Sequence, residues 1–453
     1  MNNRREFLSR AGALTAGGLA ARLAPISLLG LGATANAQAA PDYKALVCVF
    51  LYGGVDGNNL VVPIDAATYA QYAAVRTVAS GVNLTQAELL PIQPQASGPY
   101  GLHPQLSEIH PLFAAGKLAI LANVGPLNEP TTKANYFAKR PDNLFSHSDQ
   151  QNQWQSAVSS GASASGWGGR IADAMAAQNT NFPVITSIAG SALFTAGGST
   201  TALALPAAGG LALQGFNGGA AANARLAAMQ SILAADRDNA YVDAAAGITT
   251  QALALSSVVN PILSATNSSV QALFAGQTSS IAQQLLQVAK LIEARAQTGA
   301  RRQVFFVSLG GFDTHSNELT TLTNLLGQLS PALRSFYDAT VQLGVAGSVT
   351  TFTLSDFGRT FQPASGAGTD HAWGNHHFIL GGAVQGGRMY GSYPTLARAG
   401  PDDADTSGRW IPTMAVDQYG ATLARWFGVS EPALATIFPN LSRYSISNIG
   451  FLA

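Results

Sequence analysis

The chain contains four largely apolar runs, at residues 44–52, 118–124, 304–309 and 349–354, and a strand apolar on both sides must be covered on both faces. An alternating pattern would leave one face for water, and these runs leave none. Between the last two runs, Leu319, Leu322, Leu326, Leu329, Leu333 and Phe336 recur at helical spacing, so the C-terminal half reads strand, helix, strand. A second amphipathic helix is expected around Ile281, Leu285, Val288 and Ile292, and a third over 416–427 with Gly428 as its stop. The expected architecture is α/β: a three-layer sandwich with a mostly parallel central sheet. Composition agrees, since 47% of the 453 residues are hydrophobic and 11% are charged, against roughly 25% charged in an average globular protein. The 24 Lys plus Arg balance 24 Asp plus Glu, which excludes a basic nucleic-acid binder and an acidic disordered tail. The single cysteine, Cys48, lies inside the first run, so an intrachain disulfide and a cysteine-ligated zinc or iron–sulfur site are excluded.

Residues 1–39 differ from the rest. Arg4, Arg5 and Arg10 precede an Ala/Gly-rich apolar stretch over 11–34, and small-residue cleavage sites follow at 35–37 and 37–39. This is an expected export signal, outside the fold. The paired arginines followed by Glu6, Phe7 and Leu8 resemble the twin-arginine signature, while Arg22 and Pro25 interrupt the stretch and argue against a membrane anchor. The implied partner is the twin-arginine export machinery, and the mature chain, 40–453, is expected in a bacterial periplasm or outside the cell. No later stretch reads as long and apolar enough to span a bilayer after cleavage. Residues 197–277 turn to Ala, Gly, Ser and Thr, read as a mainly helical insertion or cap, with a flexible low-complexity segment as the other reading.

Chemistry gathers at the expected strand ends. Four of the seven histidines, His315, His371, His376 and His377, fall within 63 residues in Gly/Asp-rich segments. Loops converge at that edge of an open sheet. The first run leads into GGVDGNN, which delivers Asp56 to the rim, as a cation ligand or an ordinary Asp-Gly turn. The third leads into GGFDTH, where Asp313 and His315, two apart in an extended loop, point the same way and can share one metal. The fourth leads into SDFGRT, giving Asp356 and an arginine, Arg359, suited to a bidentate grip on an anion. Asp370, His371, His376 and His377 follow within eight residues, costly to bury without a metal or anion; a pH-sensitive surface loop is the alternative. Upstream, FSHSDQ places Ser146 and Ser148 at an expected helix N-terminus, where they either cap the helix or serve an anion or activated oxygen.

The order Asp56, Asp313, Asp356, with histidines after the second and third, resembles the alkaline phosphatase superfamily, which includes sulfatases. More closely, GGVDGNN, GGFDTH, SDFGRT and GTDHAWGNHHFILGGAVQGG behind a twin-arginine signal look like the exported bacterial family catalogued as domain of unknown function 1501, over nearly the whole mature chain. The resemblance implies an alkaline phosphatase-like domain over 40–453 with one or two divalent ions, Zn, Mn or another, which in the two-ion case lie about 4 Å apart. Asp313 and His315 with His371 or His376 would hold one, and Asp56 and Asp356 the second. Phe357 stands where the superfamily usually has histidine, so the second site lacks its expected imidazole unless the Asp370-His371 pair or His377 supplies one, and the Asp313 to His315 spacing is shorter than usual. Ser146 or Ser148 fits the nucleophile by position. The implied activity is an exported metal-dependent hydrolase of phosphate or sulfate esters of a small molecule or glycan. The departures leave a second reading, a non-catalytic exported binding protein with a degenerate site, and a third in which the metal only fixes loops.

Overall fold

The computed structural model describes residues 42–211, 218–235 and 239–453; the expected export signal lies outside them. Its strands are β1 (Lys44–Leu51), β2 (Val61–Pro63), β3 (Leu90–Ile92), β4 (Tyr100–Leu102), β5 (Leu118–Gly125), β6 (Ile185–Ser187), β7 (Leu203–Ala204), β8 (Arg302–Leu309), β9 (Val349–Ser355), β10 (Asn375–Gly381), β11 (Met389–Gly391) and β12 (Met414–Ala415). The central sheet runs β11-β5-β10-β9-β1-β8-β6-β7, with β12 also on β5, and β2-β4-β3 form a small separate sheet. Each of the four apolar runs became a strand of the central sheet.

Register sets the site's position. β1 pairs in parallel with both β8 and β9, and Leu51 faces Leu309 on one side and Ser355 on the other. Three strands therefore end level, and their loops leave side by side. β10 is the reversed strand, antiparallel to β5 and β9. Its first residues consequently start at the edge where β5, β9, β1 and β8 finish. Its sequence, NHHFILG, is not among the four apolar runs, because two imidazoles occupy the positions that a buried strand normally fills with aliphatic groups.

Both sheet faces are covered, as apolar strands require. Val47, Val49 and Leu51 pack with Leu285 and Val288 of the helix Ser280–Glu293 and with Leu322, Leu326 and Leu329 of the helix Glu318–Gln342. Leu46, Cys48 and Phe50 point the other way, onto Trp167 and Ile171 of the helix Trp167–Met175 and Tyr419 and Leu423 of the helix Val416–Phe427. The result is the three-layer α/β sandwich with a mostly parallel sheet.

The helix Val416–Phe427 stops at Gly428, whose φ of 107° lets its N–H return to Ala424 O at 3.1 Å. Its Asp417 is buried, with Oδ1 accepting from the Asn440 N–H at 3.0 Å and Oδ2 lacking a hydrogen-bond partner. Burial pushes this carboxyl up to about 7, against the lowering effects of the Asn440 N–H and of Arg170 and Arg443. An acid with a raised folded value contributes most when protonated, so its contribution is full below the unfolded value of 3.8 and is lost as pH rises to about 7. Asp417→Asn is expected to flatten that part of the Tm against pH profile in thermal scans; parallel profiles for variant and parent would refute this.

Residues 197–277 contribute β7, an edge strand of the central sheet, and the helices Ala220–Ala234 and Ala240–Ser264. The expectation that nothing beyond the export signal has the length and apolarity of a membrane span is corrected here. Among the described residues the helix Ala240–Ser264 has both, with a mean hydropathy of 1.3 over a window only 11% buried. Its many alanines, with Asp243 as its one charged residue, give it that apolarity despite its Ser and Thr residues.

Candidate metal centre

The loops beyond β1, β8 and β9 pack with almost no space between them. Gly53 and Gly54 take φ of +112° and +84°, and a Cβ would lie 2.4 Å from the Asp313 nitrogen at the first and 2.5 Å from the Phe357 ring at the second. Only glycine permits both the turn and the contact. The Thr369 N–H donates to Thr314 O at 3.0 Å, joining the segment before β10 to the loop after β8. The helix His147–Ser156, which follows β5 in the chain, completes the ring.

Inside this ring the Asp313 carboxylate is surrounded by three imidazoles. Its Oδ1 lies 3.0 Å from His315 Nε2 and 3.3 Å from His371 Nε2, and its Oδ2 lies 3.5 Å from His147 Nε2. His315 Nε2 and His371 Nε2 are 2.9 Å apart. Each ring is tethered by its other nitrogen: His147 Nδ1 to Asp356 Oδ2 at 2.7 Å, His371 Nδ1 to Phe145 O at 2.8 Å, and His315 Nδ1 to Asp370 Oδ1 at 3.3 Å. Carbonyl and carboxylate oxygens only accept, so a ring whose Nδ1 donates to its tether turns an Nε2 lone pair inward, the tautomer that ligation of a metal ion requires. In that tautomer electron-pair donors face one another, and the buried Nε2 of His147 has no hydrogen-bond partner.

A divalent cation satisfies such a set; a proton would satisfy only two of its atoms. Tetrahedral zinc with bonds of ~2.0–2.1 Å separates its ligands by ~3.3 Å, and the contacts above fall on either side of that distance. His147, Asp313 and His371 each place one donor atom within 4.8 Å of the others. Burial pulls the Asp313 carboxyl upward, but the Arg359 hydrogen bond and charge, with His315 and His147, hold it below the usual carboxylate range. Burial, aided by the Arg359 charge, holds His371 below the usual imidazole range despite the Phe145 carbonyl. A charged carboxylate beside a neutral ring is the state that ligation needs. The side chains of Asp313 and His315 are 45% and 48% exposed, so the centre opens to solvent.

The remaining candidates from the sequence fall in different places. Asp370 reaches the cluster through His315. Asp356 is enclosed behind His147, where its Oδ2 also accepts from Gln151 Nε2 at 2.8 Å, and it serves as the tether of that ring. Arg359 is enclosed as well: Nη1 donates to Asp313 Oδ1 at 2.9 Å, Nε to Thr369 Oγ1 at 3.1 Å, and Nη2 to Thr369 O. With its nitrogens engaged inside the protein, it steadies Asp313 and does not present a free fork to an anion. Ser146 caps the helix and donates to the Asp149 carboxylate at 2.5 Å; the exposed Ser148 hydroxyl lies 3.1 Å from it. Both flank His147 at the rim.

Three residues stay outside the cluster. Asp56 is buried in an ion pair with Arg76, whose Nη2 donates to Asp56 Oδ1 at 3.0 Å, and so faces an internal cation. His376 and His377 belong to β10, whose pleat sends them to opposite faces. His376 stacks on Tyr393 at 4.7 Å and is lowered to about 4 by burial; His377 packs on Trp154 at 4.9 Å and is lowered to about 3 by burial and His376. Conversely, His147, the imidazole between the two serines of FSHSDQ and not among the expected ligands, is a member of the cluster. The signal that could have found it was the empty histidine position at Phe357. That ring packs 4.7 Å from His147 and 4.5 Å from His371, a wall against which the imidazoles stand.

Fold and site together define an α/β protein with a solvent-open His/Asp donor cluster at the strand ends of a mostly parallel sheet. The chain belongs to the family described as Protein of unknown function (DUF1501), whose model matches residues 43–408. No curated protein matches it. Among solved structures it is similar to Ps i-CgsB in complex with k-i-k-neocarrahexaose, at 8% identity and TM-score 0.36, covering 86% of this chain and 72% of that one. It is also similar to the PsFucS1 sulfatase from Pseudoalteromonas sp., at 10% identity and TM-score 0.37, covering 91% and 72%. A third is the lipoteichoic acid synthase LtaP from Listeria monocytogenes, at 8% identity and TM-score 0.33, covering 82% and 74%. Likeness at this level carries no residue roles across, and the site is read from its own geometry.

Proposed function

We propose that the protein is an exported, metal-dependent hydrolase of phosphate or sulfate esters, acting on a small molecule or a glycan. The observation that carries this reading is the convergence of three tethered Nε2 atoms on the Asp313 carboxylate, at a solvent-open edge. His147, His315, His371 and Asp313 would hold the ion, and the ion would supply Lewis acidity toward a phosphoryl or sulfuryl oxygen. Asp356, Asp370 and the Phe145 carbonyl lie at the Nδ1 atoms of the three rings, where they would hold the ligating tautomer. Ser146 and Ser148 are the candidate nucleophiles; Asp149, which accepts from Ser146, is the group placed to take its proton. The export route is the twin-arginine one that residues 1–39 suggest, ending in the periplasm or outside the cell.

Elemental analysis of the exported protein tests the reading. One stoichiometric divalent ion is expected in the parent and none in Asp313→Ala or His371→Ala, with turnover of nitrophenyl phosphate or nitrophenyl sulfate lost on chelation. A parent free of divalent ions after loading with Zn or Mn would end it. The enclosed, fully engaged Arg359 favours a second reading, an exported protein that binds a glycan at a metal-holding but non-catalytic site. An ion-loaded parent without turnover, unaffected by Ser146→Ala with Ser148→Ala, would support that reading instead.

A further inference from the structure

Beneath the donor cluster lies an enclosed network of charges and hydroxyls. Asp56 and Glu318 share one guanidinium: Arg76 donates to Asp56 with two nitrogens, and its Nη1 lies 3.8 Å from Glu318 Oε1. Arg76 is fixed in turn by the carbonyls of Phe361 and Thr360, at 3.0 and 2.9 Å. Burial and the Asp56 charge push the Glu318 carboxyl well above its ordinary range, whereas Arg76 keeps Asp56 low despite burial. Asp56 is therefore the ionised partner and Glu318 the neutral one.

From Glu318 the hydrogen bonds lead outward. Its Oε2 accepts from Thr314 Oγ1 at 3.2 Å and from the Thr369 hydroxyl. That hydroxyl accepts from Arg359 Nε, 3.1 Å away, and Arg359 Nη1 donates to Asp313 Oδ1 at 2.9 Å. Every link is buried up to the last, which emerges at the cluster.

We infer that Glu318 is a positioning residue for the metal centre, acting through Thr369 and Arg359 to fix the orientation of the Asp313 carboxylate. The inference rests on the reading of the cluster as a metal site. Thr369 is the pivot because one hydroxyl must donate inward and accept from Arg359 at once, so its orientation is set by the acceptor that Glu318 supplies. Without that acceptor the hydroxyl can turn its hydrogen toward Arg359 Nε, which then loses its partner, and the guanidinium, left with the carbonyls of Gly53 and Thr369, is free to tilt with Asp313 attached. Because Glu318 acts as a neutral acceptor, glutamine can replace it.

The test is Co²⁺ titration of the purified protein, following d–d absorption and affinity. Thr369→Val and Glu318→Ala are expected to shift the visible bands and weaken Co²⁺ binding by about 10–100-fold, the range for lost support behind a ligand. Glu318→Gln and Thr369→Ser are expected to keep the parent's bands and affinity. A folded Thr369→Val with parental spectrum and affinity overturns the inference alone, as does a Glu318→Gln that behaves like Glu318→Ala. A parent that takes up no Co²⁺ overturns the metal reading and this inference with it. If Thr369→Val does not fold, the Glu318→Gln and Glu318→Ala pair still decides.

Discussion

Replacing Arg76 with methionine is expected to destabilise the protein by about 3–5 kcal/mol, the cost of removing one partner from a buried ion pair. Both Arg76 and Asp56 side chains are fully enclosed, so no water can take over the vacated charge. Asp56 must then either stay ionised in an apolar setting or take up a proton beside Glu318, and both outcomes forfeit the hydrogen bonds to Arg76. Burial alone would raise the Asp56 carboxyl; Arg76 holds it below its ordinary 3.8. The pair's contribution is accordingly present above the unfolded value and is lost as pH falls through the lowered one. Urea unfolding near neutral pH should show the full loss, and unfolding at strongly acidic pH much less of it. Removing Arg334, half-exposed and paired with Asp338 at i,i+4, should cost no more than about 0.5 kcal/mol. Asp56→Leu combined with Arg76→Met should recover part of the loss, since no uncompensated charge remains. A single-variant loss as small as the Arg334 control would mean that Asp56 is not held ionised in the interior and would return it to the pool of metal ligands.

The four largely apolar runs made the central sheet legible, because apolar and β-branched residues over a strand's length have few other uses. The stop of the last long helix was equally plain, because Gly428 alone there tolerates a φ of 107°. Strand order was not legible, and the site depends on it. The loops carrying Asp313 and Asp356 become neighbours because β8 and β9 flank β1. The His371 loop joins them because β10 runs backwards, which two histidines in its sequence disguised. Asp56 and Asp313 have similar surroundings in the sequence, each after an apolar run and a Gly-Gly pair. What separates them is enclosure: Arg76, twenty residues beyond Asp56, takes both of its oxygens, whereas Arg359 takes only Oδ1 of Asp313, and no local pattern announces that difference. His147 shows the converse: a residue between two serines gains its role only when the end of β5 carries its helix to the edge shared with β9.

His147→Ala is expected to lower divalent-ion affinity by more than the 10–100-fold typical of a lost supporting group, while leaving the fold intact. The side chain is 31% exposed at a helix terminus, so its removal opens little cavity, yet it takes away the buried Nε2 donor opposite Asp313 Oδ2. Asp356→Asn separates ligand from tether. The amide can still sit against His147 Nδ1, but if it turns its NH₂ group there the ring must reverse its tautomer and present an N–H to the centre. Its effect should therefore lie within about 10–100-fold, smaller than that of His147→Ala. If Asp356 were itself a ligand, as its place in the sequence suggested, the two substitutions would cost about the same. Competition titration with a chromophoric chelator measures both, and the order of the two losses distinguishes a carboxylate that holds a histidine from one that holds the ion. The order also bears on the number of ions. Asp356 as tether, together with Asp56 locked to Arg76, leaves the second pair of expected ligands without an ion to hold, so a single ion accounts for the donors that face solvent. Two ions per chain in the parent, with one surviving in His147→Ala, would overturn that assignment and place Asp356 back among the ligands.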